Sequence, residues 1–475
     1  MSVLALRERP TGPDGEAGAR TPGGGRGVVP CPRPPLSEAA LTELWREQRF
    51  PRSALVTRQG VPLRVLHPGR PGRGAGPDFR HALLETPSGA VLGGDVELHT
   101  LASSFRAHGH YRDPRYDRVI LHVVFQDDLG EDALLASGQR APVVVLAPWV
   151  DGRSRELATE LAQPAPWQEP CQGAGCRLGE AAVSSVLEEL GERRLSAKRA
   201  RFRGALAAVE PEQALYEGLL RALGYGGNEE AMLLLARRLP WRDLREGLLG
   251  AAPALRQATA EALLLGTAGL LPSQRGHEGL LPTHPMLLEG LWRECRRASL
   301  APQRWRLWGT RPENHPTRRL AGAATLLTRH AHDLLAPLWG LLAAPRLSVA
   351  ALLSPWTATA QGYWRHHFDL SGGPCRLPAA LIGRGRALEM TVNVVLPLAT
   401  VLAEARRNRE AALRARDLLA RLPRTGPYGV TRFLEEALRS GEGRALRLNA
   451  RRQQGLLHLY HAYCTQGGCG RCPMS

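Results

Sequence analysis

The chain has 475 residues, of which 43% are hydrophobic, so it is long enough for two or three domains with cores of their own. It has no run of eighteen uncharged apolar residues and no apolar secretory segment at its start, so we expect a cytoplasmic protein without a membrane span. Its net charge is +17, with Lys198 as the only lysine. A GC-rich coding sequence explains arginine in place of lysine but not the surplus over acids, which favours nucleic acid as a partner.

The first segments of the chain differ sharply in composition. Residues 1–34 are rich in Gly, Pro and Arg and lack apolar periodicity, which predicts a disordered leader. A helix is predicted after Ser37, whose hydroxyl is a suitable N-cap, with Leu41 and Trp45 at helical spacing. Two short strands are predicted within residues 54–67.

Four further segments have strand character. Residues 79–85 and 91–99 flank a Thr-Pro-Ser-Gly turn, which predicts an antiparallel hairpin. Residues 119–125 form a short apolar run rich in β-branched side chains, typical of a central strand buried on both faces. With a last strand at 143–146, these segments predict an α/β domain over residues 35–150.

Acidic and histidine side chains are concentrated on the predicted hairpin. Asp78 precedes its first strand, and Asp95, Glu97 and His99 alternate along its second. Alternate side chains of a strand project from one face, so we expect these three to lie together, close to Asp78. Such groups are costly to bury without a partner, and a metal ion would satisfy them.

The composition changes after Pro170, and from Glu180 onward Leu, Ala, Arg and Glu recur at helical spacing. This pattern predicts a large all-α domain over residues 180–463. Residues 383–397 are compatible with either a strand or a buried helix. Helices are predicted at 182–208, 212–223, 229–238, 252–265, 284–298, 319–329, 332–343, 396–419, 429–439 and 445–463.

Three cysteines follow one another in a glycine-rich C-terminal segment, residues 464–475, with the spacing Cys-x4-Cys-x2-Cys. Thiolates two residues apart can ligate one ion through a tight turn, so we predict a metal-binding knuckle, with unliganded thiols as the alternative. These cysteines are Cys464, Cys469 and Cys472.

A fourth ligand for this knuckle has three candidates. Cys171 and Cys176 lie in the predicted linker, residues 151–179, and His461 lies just before the knuckle. Zinc suits such a set of ligands. We take Cys171 as the candidate that completes the site.

Several motifs are spread over the chain. They are the central stretch 76–125, Trp45, Leu215-Tyr-Glu217 to Gly224-Tyr225, Arg311-Pro-Glu-Asn314 with Pro316, Asn393 to Pro397 and the terminal cysteines. Together they resemble a bacterial family, the domain-of-unknown-function family numbered 2851. The resemblance covers most of the chain beyond residue 36, but it implies no activity, because the function of the family is uncharacterised.

A more distant resemblance concerns the hairpin. A helix, a hairpin carrying Asp, and then Glu-x-Lys on the next strand is the pattern of the PD-(D/E)XK nuclease superfamily. Here Gly76-Pro-Asp78 resembles the Asp motif and Glu97-Leu-His99 stands where Glu-x-Lys is expected. The resemblance implies a restriction-endonuclease-like fold with a mixed sheet. The chain departs from the pattern at His99, and since Lys198 is the only lysine, no Glu-x-Lys exists in it.

The resemblance also implies a metal-dependent nuclease. Asp78 and Glu97 would hold Mg²⁺ or Mn²⁺, and His99 would orient or deprotonate the attacking water. An acid on the preceding helix, Glu43 or Glu47, would match a further acidic residue of many members. The alternative interpretation of Asp78 and Glu97 is structural: the two carboxylates would pair with arginines in a network that holds no metal.

The segment between the hairpin and the next strand carries further candidates. His110, with His108 and two arginines at 106 and 112, would face the scissile phosphate. Alternatively, His108 and His110 would form a metal site of their own with Asp113 and His122, because His-x-His is a known ligand spacing.

Some nucleases of the PD-(D/E)XK type also carry a four-cysteine iron–sulfur cluster built from a C-terminal triplet and one upstream cysteine. The layout of Cys171 and the knuckle resembles theirs, and zinc fits equally well. The sequence therefore predicts a two-part protein that cleaves DNA or RNA. The alternatives are a catalytically inactive nucleic-acid-binding or scaffold protein that retains the fold, and a hydrolase acting on a smaller substrate.

Overall fold

The structure is a computed structural model that describes most of the chain from Ser37 to Ser475. The predicted leader and most of the predicted linker lie outside the described residues. Within 37–475 the residues left out are 49, 51–54, 73, 151–168, 225–226, 278, 296, 302–303, 308–310, 344–347, 378–379, 427, 429–430, 440–444 and 467.

The first helix, α1 (Glu38–Glu47), begins at the predicted cap. The Ser37 hydroxyl accepts a hydrogen bond from the Ala40 amide, and the helix ends at Gln48 in the left-handed conformation. Trp45 is fully buried, and its indole Nε1 donates to the Pro68 carbonyl at 2.9 Å. The helix therefore packs its apolar stripe onto the sheet that follows.

The strands that follow are β1 Leu55–Val56, β2 Pro62–His67, β3 Arg70–Pro71, β4 Phe79–Glu85, β5 Val91–Leu101, β6 Val119–Gln126, β7 Ala133–Leu134, β8 Arg140–Ala141 and β9 Val143–Val145. The main sheet is mixed, and its strands run in the order β1-β2-β4-β5-β6-β9, with β3 paired to β4. Strands β4 and β5 form the predicted antiparallel hairpin, whereas β5 pairs with β6, and β6 with β9, in parallel. Strands β7 and β8 form a separate two-stranded sheet.

The apolar core of this region lies between α1 and one face of the sheet. Val96 and Leu98 of β5 point into it, so the residues between and after them, Glu97 and His99, belong to the opposite face. Strand β6 is buried on both faces, as its apolar sequence predicts. The alternation along β5 thus separates the core from the polar side chains.

The connection from β5 to β6 covers the polar face of the sheet. It contains a short helix, α2 (Ser104–Ala107), and two 3₁₀ turns, His110–Arg112 and Pro114–Tyr116. Gly109, with φ of +77°, separates α2 from the first turn. Phe105 and Tyr116 of this connection are buried in a small apolar cluster of their own.

The second part of the chain is helical, in agreement with the predicted two-part layout of a mixed-sheet region followed by a helical region. The helices are Ala147–Val150, Ala174–Leu178, Glu180–Leu206, Pro211–Leu223, Glu229–Arg238, Trp241–Gly250, Arg256–Ala268, Thr283–Cys295, Pro316–Arg329, Ala336–Ala343, Val349–Leu353, Arg384–Met390, Leu396–Ala405, Arg409–Arg421, Arg432–Ala437 and Ala450–Leu459. This part of the chain also contains two short strands, β10 Ala358–Thr359 and β11 Ala380–Ile382, which pair with each other in antiparallel fashion. The pattern did not predict them.

Three helical predictions differ from the structure in detail. The segment 182–208, which the pattern leaves open to one or two helices, forms the single helix Glu180–Leu206, whereas the predicted helix 396–419 is divided where Arg407 takes a φ of +56°. Pro240 ends one helix, as predicted, and is also the N-cap of another that the pattern did not predict, Trp241–Gly250. The ambiguous residues 383–397 are helical, with one π-helical turn at Thr391–Val395.

Among the described residues, one helical stretch, Arg384–Ala405, is long and apolar enough to cross a membrane by length and composition. Of its apolar 18-residue window, 83% is buried inside the protein. A buried core helix can have the same length and composition, so this stretch is weak evidence for a membrane span. The expectation of no span stays a prediction.

The last helix, Ala450–Leu459, docks against the long helix Glu180–Leu206. Gly455 allows the two helices to approach each other closely, because a Cβ at this position would lie 2.0 Å from the Leu187 carbonyl oxygen. This docking brings Tyr460 against His81 of β4, with ring centroids 5.8 Å apart. The C-terminal cysteine segment therefore lies beside the hairpin.

We expect the substitution Leu121→Ala in β6 to lower the free energy of unfolding by about 2–5 kcal/mol, because it leaves a cavity in the core under α1. The matched control is Leu129→Ala in the loop after β6, where the leucine is 43% exposed, and we expect a change within about 0.5 kcal/mol. Urea unfolding followed by tryptophan fluorescence measures both. Equal losses in the two variants would contradict the placement of this core.

Candidate active site

Asp78 and Glu97 lie side by side at the end of the hairpin. The register pairs Phe79 with Val96, which places Asp78, just before β4, beside Glu97 of β5. Glu97 Oε2 accepts a hydrogen bond from the Asp78 amide at 3.0 Å, and Asp78 Oδ2 accepts one from the Leu98 amide at 3.0 Å. Each carboxylate is thus fixed by the backbone of the other strand.

These two carboxylates have no basic counter-charge. In the described part of the chain neither forms an ion pair with Arg or Lys, and only the imidazoles of His99 and His110 approach Glu97. Burial, followed by the negative charge of Asp78, raises the pKa of Glu97 to about 8. Burial also raises the pKa of Asp78, against the effect of the Leu98 hydrogen bond. The pair therefore lacks the cation that would stabilise its charged form.

The acid that α1 contributes is Glu38. Its charge adds to the rise in the pKa values of Asp78 and Glu97. The sequence prediction named Glu43 or Glu47, but both of these acids face Arg46. Glu38 is three and seven residues before Leu41 and Trp45, on the same helical stripe, and this spacing is the signal that would have identified it.

His99 lies at the centre of a cluster of imidazoles. Its Nε2 is 3.7 Å from Glu97 Oε1 and 3.1 Å from His108 Nδ1, and its Nδ1 is 3.0 Å from His122 Nε2. His110 Nε2 lies 3.2 Å from Glu97 Oε1. One nitrogen from each of His99, His108 and His110 lies within 4.8 Å of the other two.

The buried histidines are uncharged. Burial, followed by the neighbouring imidazoles, lowers the pKa of His99 to about 2, and burial lowers that of His122 to about 3. A lysine at the position of His99 would bring a positive charge to the carboxylates. His99 brings instead a neutral ring with a lone pair.

Aromatic rings hold the cluster in place. Tyr116 stacks on His110 with ring centroids 4.0 Å apart, and Phe105 presents its edge to His99 and His110. The sequence analysis assigned no role to Tyr116, and the structure shows that it packs against the site. Burial raises the pKa of Tyr116 to about 12.

Some of the polar residues predicted for this region lie apart from the cluster. Asp95 accepts a hydrogen bond from the His81 amide at 3.1 Å, at the point where the pairing of β4 with β5 is irregular between Phe79 and Ala82. Asp113 pairs with Arg115 on the surface. The two arginines at 106 and 112 are exposed and lie over the ring of Tyr111.

The structure places the predicted cysteine ligands in neighbouring positions. Cys171, Cys464 and Cys472 pack in or against one apolar cluster. Cys469 instead has its Sγ within 4.8 Å of a nitrogen of His67 and a carboxylate oxygen of Glu169. Burial raises the pKa of Cys464 to about 12 and that of Cys469 to about 11, so both are thiols in the absence of a cation.

His67 and Glu169 were not predicted as part of this group. His67 Nδ1 accepts a hydrogen bond from the Gly69 amide at 2.9 Å, so its Nε2 carries the proton and donates to Glu169 Oε2 at 3.2 Å. Arg70 donates to the same oxygen. The position of Glu169, two residues before Cys171, is the signal that would have drawn attention to it. The other candidates, Cys176 and His461, are exposed.

Two sizeable cavities lie elsewhere. One, of about 360 Å³, lies between the hairpin and the C-terminal segment and is lined by residues that include His81, Arg118 and Arg471. The other, of about 1300 Å³, lies in the helical region next to Trp241 and Trp339. Neither is lined by Asp78 or Glu97.

The raised pKa of Glu97 predicts a pH dependence of stability. Because its folded-state pKa of about 8 exceeds its ordinary value of 4.5, the protonated group stabilises the fold, and this stabilisation is lost as the pH rises from about 4.5 to about 8. In Glu97→Gln, which cannot ionise, we expect a smaller loss over that range, the difference approaching about 1.4 kcal/mol per pH unit at most. Urea unfolding in chelator at several pH values measures it, and identical curves would contradict the assignment.

Comparison with known proteins adds a family but no activity. A family model described as "Protein of unknown function (DUF2851)" matches residues 38–426, well over half of the chain. No curated protein and no solved structure matches the chain. The matched segment includes the hairpin, the imidazole cluster and most of the helical region. The chain therefore belongs to the DUF2851 family of proteins of unknown function.

Proposed function

We propose that the protein is a metal-dependent phosphodiesterase that cleaves DNA or RNA, with Asp78 and Glu97 holding a divalent cation. The observation that carries the proposal is the adjacency of two carboxylates, one of them buried, without an arginine or lysine partner in the described part of the chain. The structural alternative, a network with arginines, requires such partners. A cation would remove the cost of ionising the pair.

The ligand atoms favour a hard ion. Carboxylate oxygens suit Mg²⁺ or Mn²⁺, and Glu38 on α1 adds a third negative charge at the edge of the site. When bound, such an ion polarises a phosphoryl oxygen and activates water. The mixed sheet, with the acids at the start of β4 and on β5, is consistent with a nuclease of the PD-(D/E)XK type.

His99 and His110 are the groups placed to act with the carboxylates. Both point a ring nitrogen at Glu97 Oε1, within 3.7 Å and 3.2 Å. The neutral ring of His99 stands where the lysine of the nuclease pattern is expected. We propose that it takes over the task of that lysine, which is to hold or deprotonate the attacking water.

Positive charge next to the site supports a polyanionic substrate. Arg70, Arg80 and Arg118 all contribute to the lowered pKa of His81, which lies three residues after Asp78. Arg118 also lines the 360 Å³ cavity beside the hairpin. Arg70 is engaged by Glu169, whereas Arg80 and Arg118 are exposed and, together with the net charge of +17, favour contacts with a phosphate backbone.

One observation favours the second candidate, a catalytically inactive nucleic-acid-binding protein of the same fold. Glu97 and His99 are only 5% and 2% exposed, so a substrate phosphate has little access to them in this conformation. Binding without cleavage is the expected behaviour of that candidate.

Cleavage of labelled single- and double-stranded DNA and RNA with Mg²⁺, Mn²⁺ or chelator tests the proposal. We expect metal-dependent cutting by the wild type, reduced at least about 100-fold in Asp78→Asn and Glu97→Gln, because each removes a charged ligand. Glu85→Gln is the matched control, since Glu85 lies on β4 but pairs with Arg64. Binding with no cutting in any metal would replace the nuclease with the inactive binding protein.

We also propose that the C-terminal cysteines hold a structural zinc ion or iron–sulfur cluster. Support comes from the grouping of Cys171, Cys464 and Cys472 and from the position of Cys469 beside His67 and Glu169. These residues belong to three separate segments of the chain, so an ion there would join the C-terminal segment to the sheet.

Metal analysis of protein purified without oxygen tests this second site. We expect the wild type to hold one equivalent more of zinc, or of iron with visible absorbance, than Cys469→Ser and Cys472→Ser, because each substitution removes a thiolate ligand. Cys375→Ser is the control, since Cys375 lies outside this group. A wild-type protein free of zinc and iron would reject the site.

A further inference from the structure

The imidazole cluster beside Glu97 has the composition of a transition-metal site. We propose that His99, His108 and His110 bind one divalent ion of the zinc class, with Oε1 of Glu97 beside it and the fourth position open to water. This site is distinct from the one at Asp78, because it uses nitrogen ligands and lies on the Oε1 side of Glu97.

The distances between the ligand atoms fit a tetrahedral ion. Bonds of about 2.0–2.1 Å in tetrahedral geometry separate neighbouring ligand atoms by roughly 3.3 Å. The separation of His99 Nε2 from His108 Nδ1 is 3.1 Å, that of His110 Nε2 from Glu97 Oε1 is 3.2 Å, and that of His99 Nε2 from Glu97 Oε1 is 3.7 Å. Three ring nitrogens thus lie close enough together to share one ion, and Glu97 Oε1 lies beside two of the rings.

The local backbone brings two of the histidines to that position. Gly109, between His108 and His110, has a φ of +77°, which reverses the chain after α2 and turns both rings toward β5. Residues other than glycine rarely adopt this conformation. The spacing His-Gly-His therefore presents two ring nitrogens to the strand that carries His99 and Glu97.

Further groups hold the rings in position for an ion. His122 Nε2 lies 3.0 Å from His99 Nδ1 and can accept its proton, which leaves His99 Nε2 free to ligate. Tyr116 stacks on His110. Outer partners of this kind are typical of metal-ligating histidines. In the absence of an ion, the same rings satisfy one another by hydrogen bonds.

An ion can reach the site from solvent. His108 is exposed and His110 partly so, whereas His99 and Glu97 form the buried floor. The nitrogen-rich ligand set favours Zn²⁺ or Co²⁺ over Mg²⁺. The position therefore differs from the carboxylate site in both access and ion preference.

The ion would give the imidazole at the lysine position a definite task. With its Nε2 on a metal, His99 would no longer act as a base itself but would act through that ion, which would lower the pKa of bound water. Only this catalytic use rests on the proposed nuclease function. Binding of the ion is measured without nucleic acid and does not depend on it.

Titration of the full-length protein with Co²⁺ and Zn²⁺, in excess Mg²⁺, tests the proposal. We expect the wild type to show visible d–d bands of a four-coordinate nitrogen and oxygen site. His108→Ala and His110→Ala should lose these bands and weaken Zn²⁺ binding at this site at least about 100-fold by calorimetry. His366→Ala, an exposed histidine far along the chain, should bind as the wild type does.

A second comparison separates this inference from the nuclease. Asp78→Asn should keep the cobalt bands, because Asp78 contributes no ligand here, although it should lose cleavage. Wild-type cobalt spectra in both His108→Ala and His110→Ala would overturn the site, whatever the activity. Intact cobalt binding in a protein that cleaves nothing would retain the site and reject the nuclease. Because His108 is exposed, its alanine variant is expected to fold, and circular dichroism checks this.

Discussion

The position of strand β5 determines both the core and the site. The strand is hydrogen-bonded on both edges, antiparallel to β4 and parallel to β6. Its Val96 and Leu98 fill the core under α1, while Glu97 and His99 face the other side. A slip of one residue would exchange these sets and bury the carboxylate in the core. The apolar packing of α1 therefore also fixes the geometry of the polar cluster.

Parallel pairing of β5 with β6 has a second effect, because a parallel pair needs a connection that crosses from one end of the strands to the other. Here the connection is short and stays on the polar face, where it places His108 and His110 over Glu97. The register pairs Glu97 with His122, which brings a fourth imidazole to the same place. The density of histidines is thus a product of the topology.

Strand alternation and turn chemistry were enough to predict the hairpin, the central strand β6 and the adjacency of Asp78 to Glu97. Features that depend on tertiary packing were less accessible. Asp95 accepts a hydrogen bond from the His81 amide at an irregularity in the pairing of β4 with β5, and Pro240 both ends and begins a helix. The convergence of His108 on His99 depends on the turn at Gly109, which spacing alone does not determine. His67 and Glu169, 102 residues apart, meet only in the folded chain.

The two oxygens of Glu97 face different neighbours, Oε2 the amide of Asp78 and Oε1 the imidazole of His110. One carboxylate carries one charge, so it cannot respond to its two sides independently. A proton on one oxygen weakens cation binding at the other oxygen. A cation at either oxygen favours the ionised form of the whole carboxylate. Such linkage is reciprocal, so occupancy on each side changes the affinity of the other by the same factor. For the two ion sites proposed above, we therefore expect this single side chain to couple their occupancies to each other and to pH.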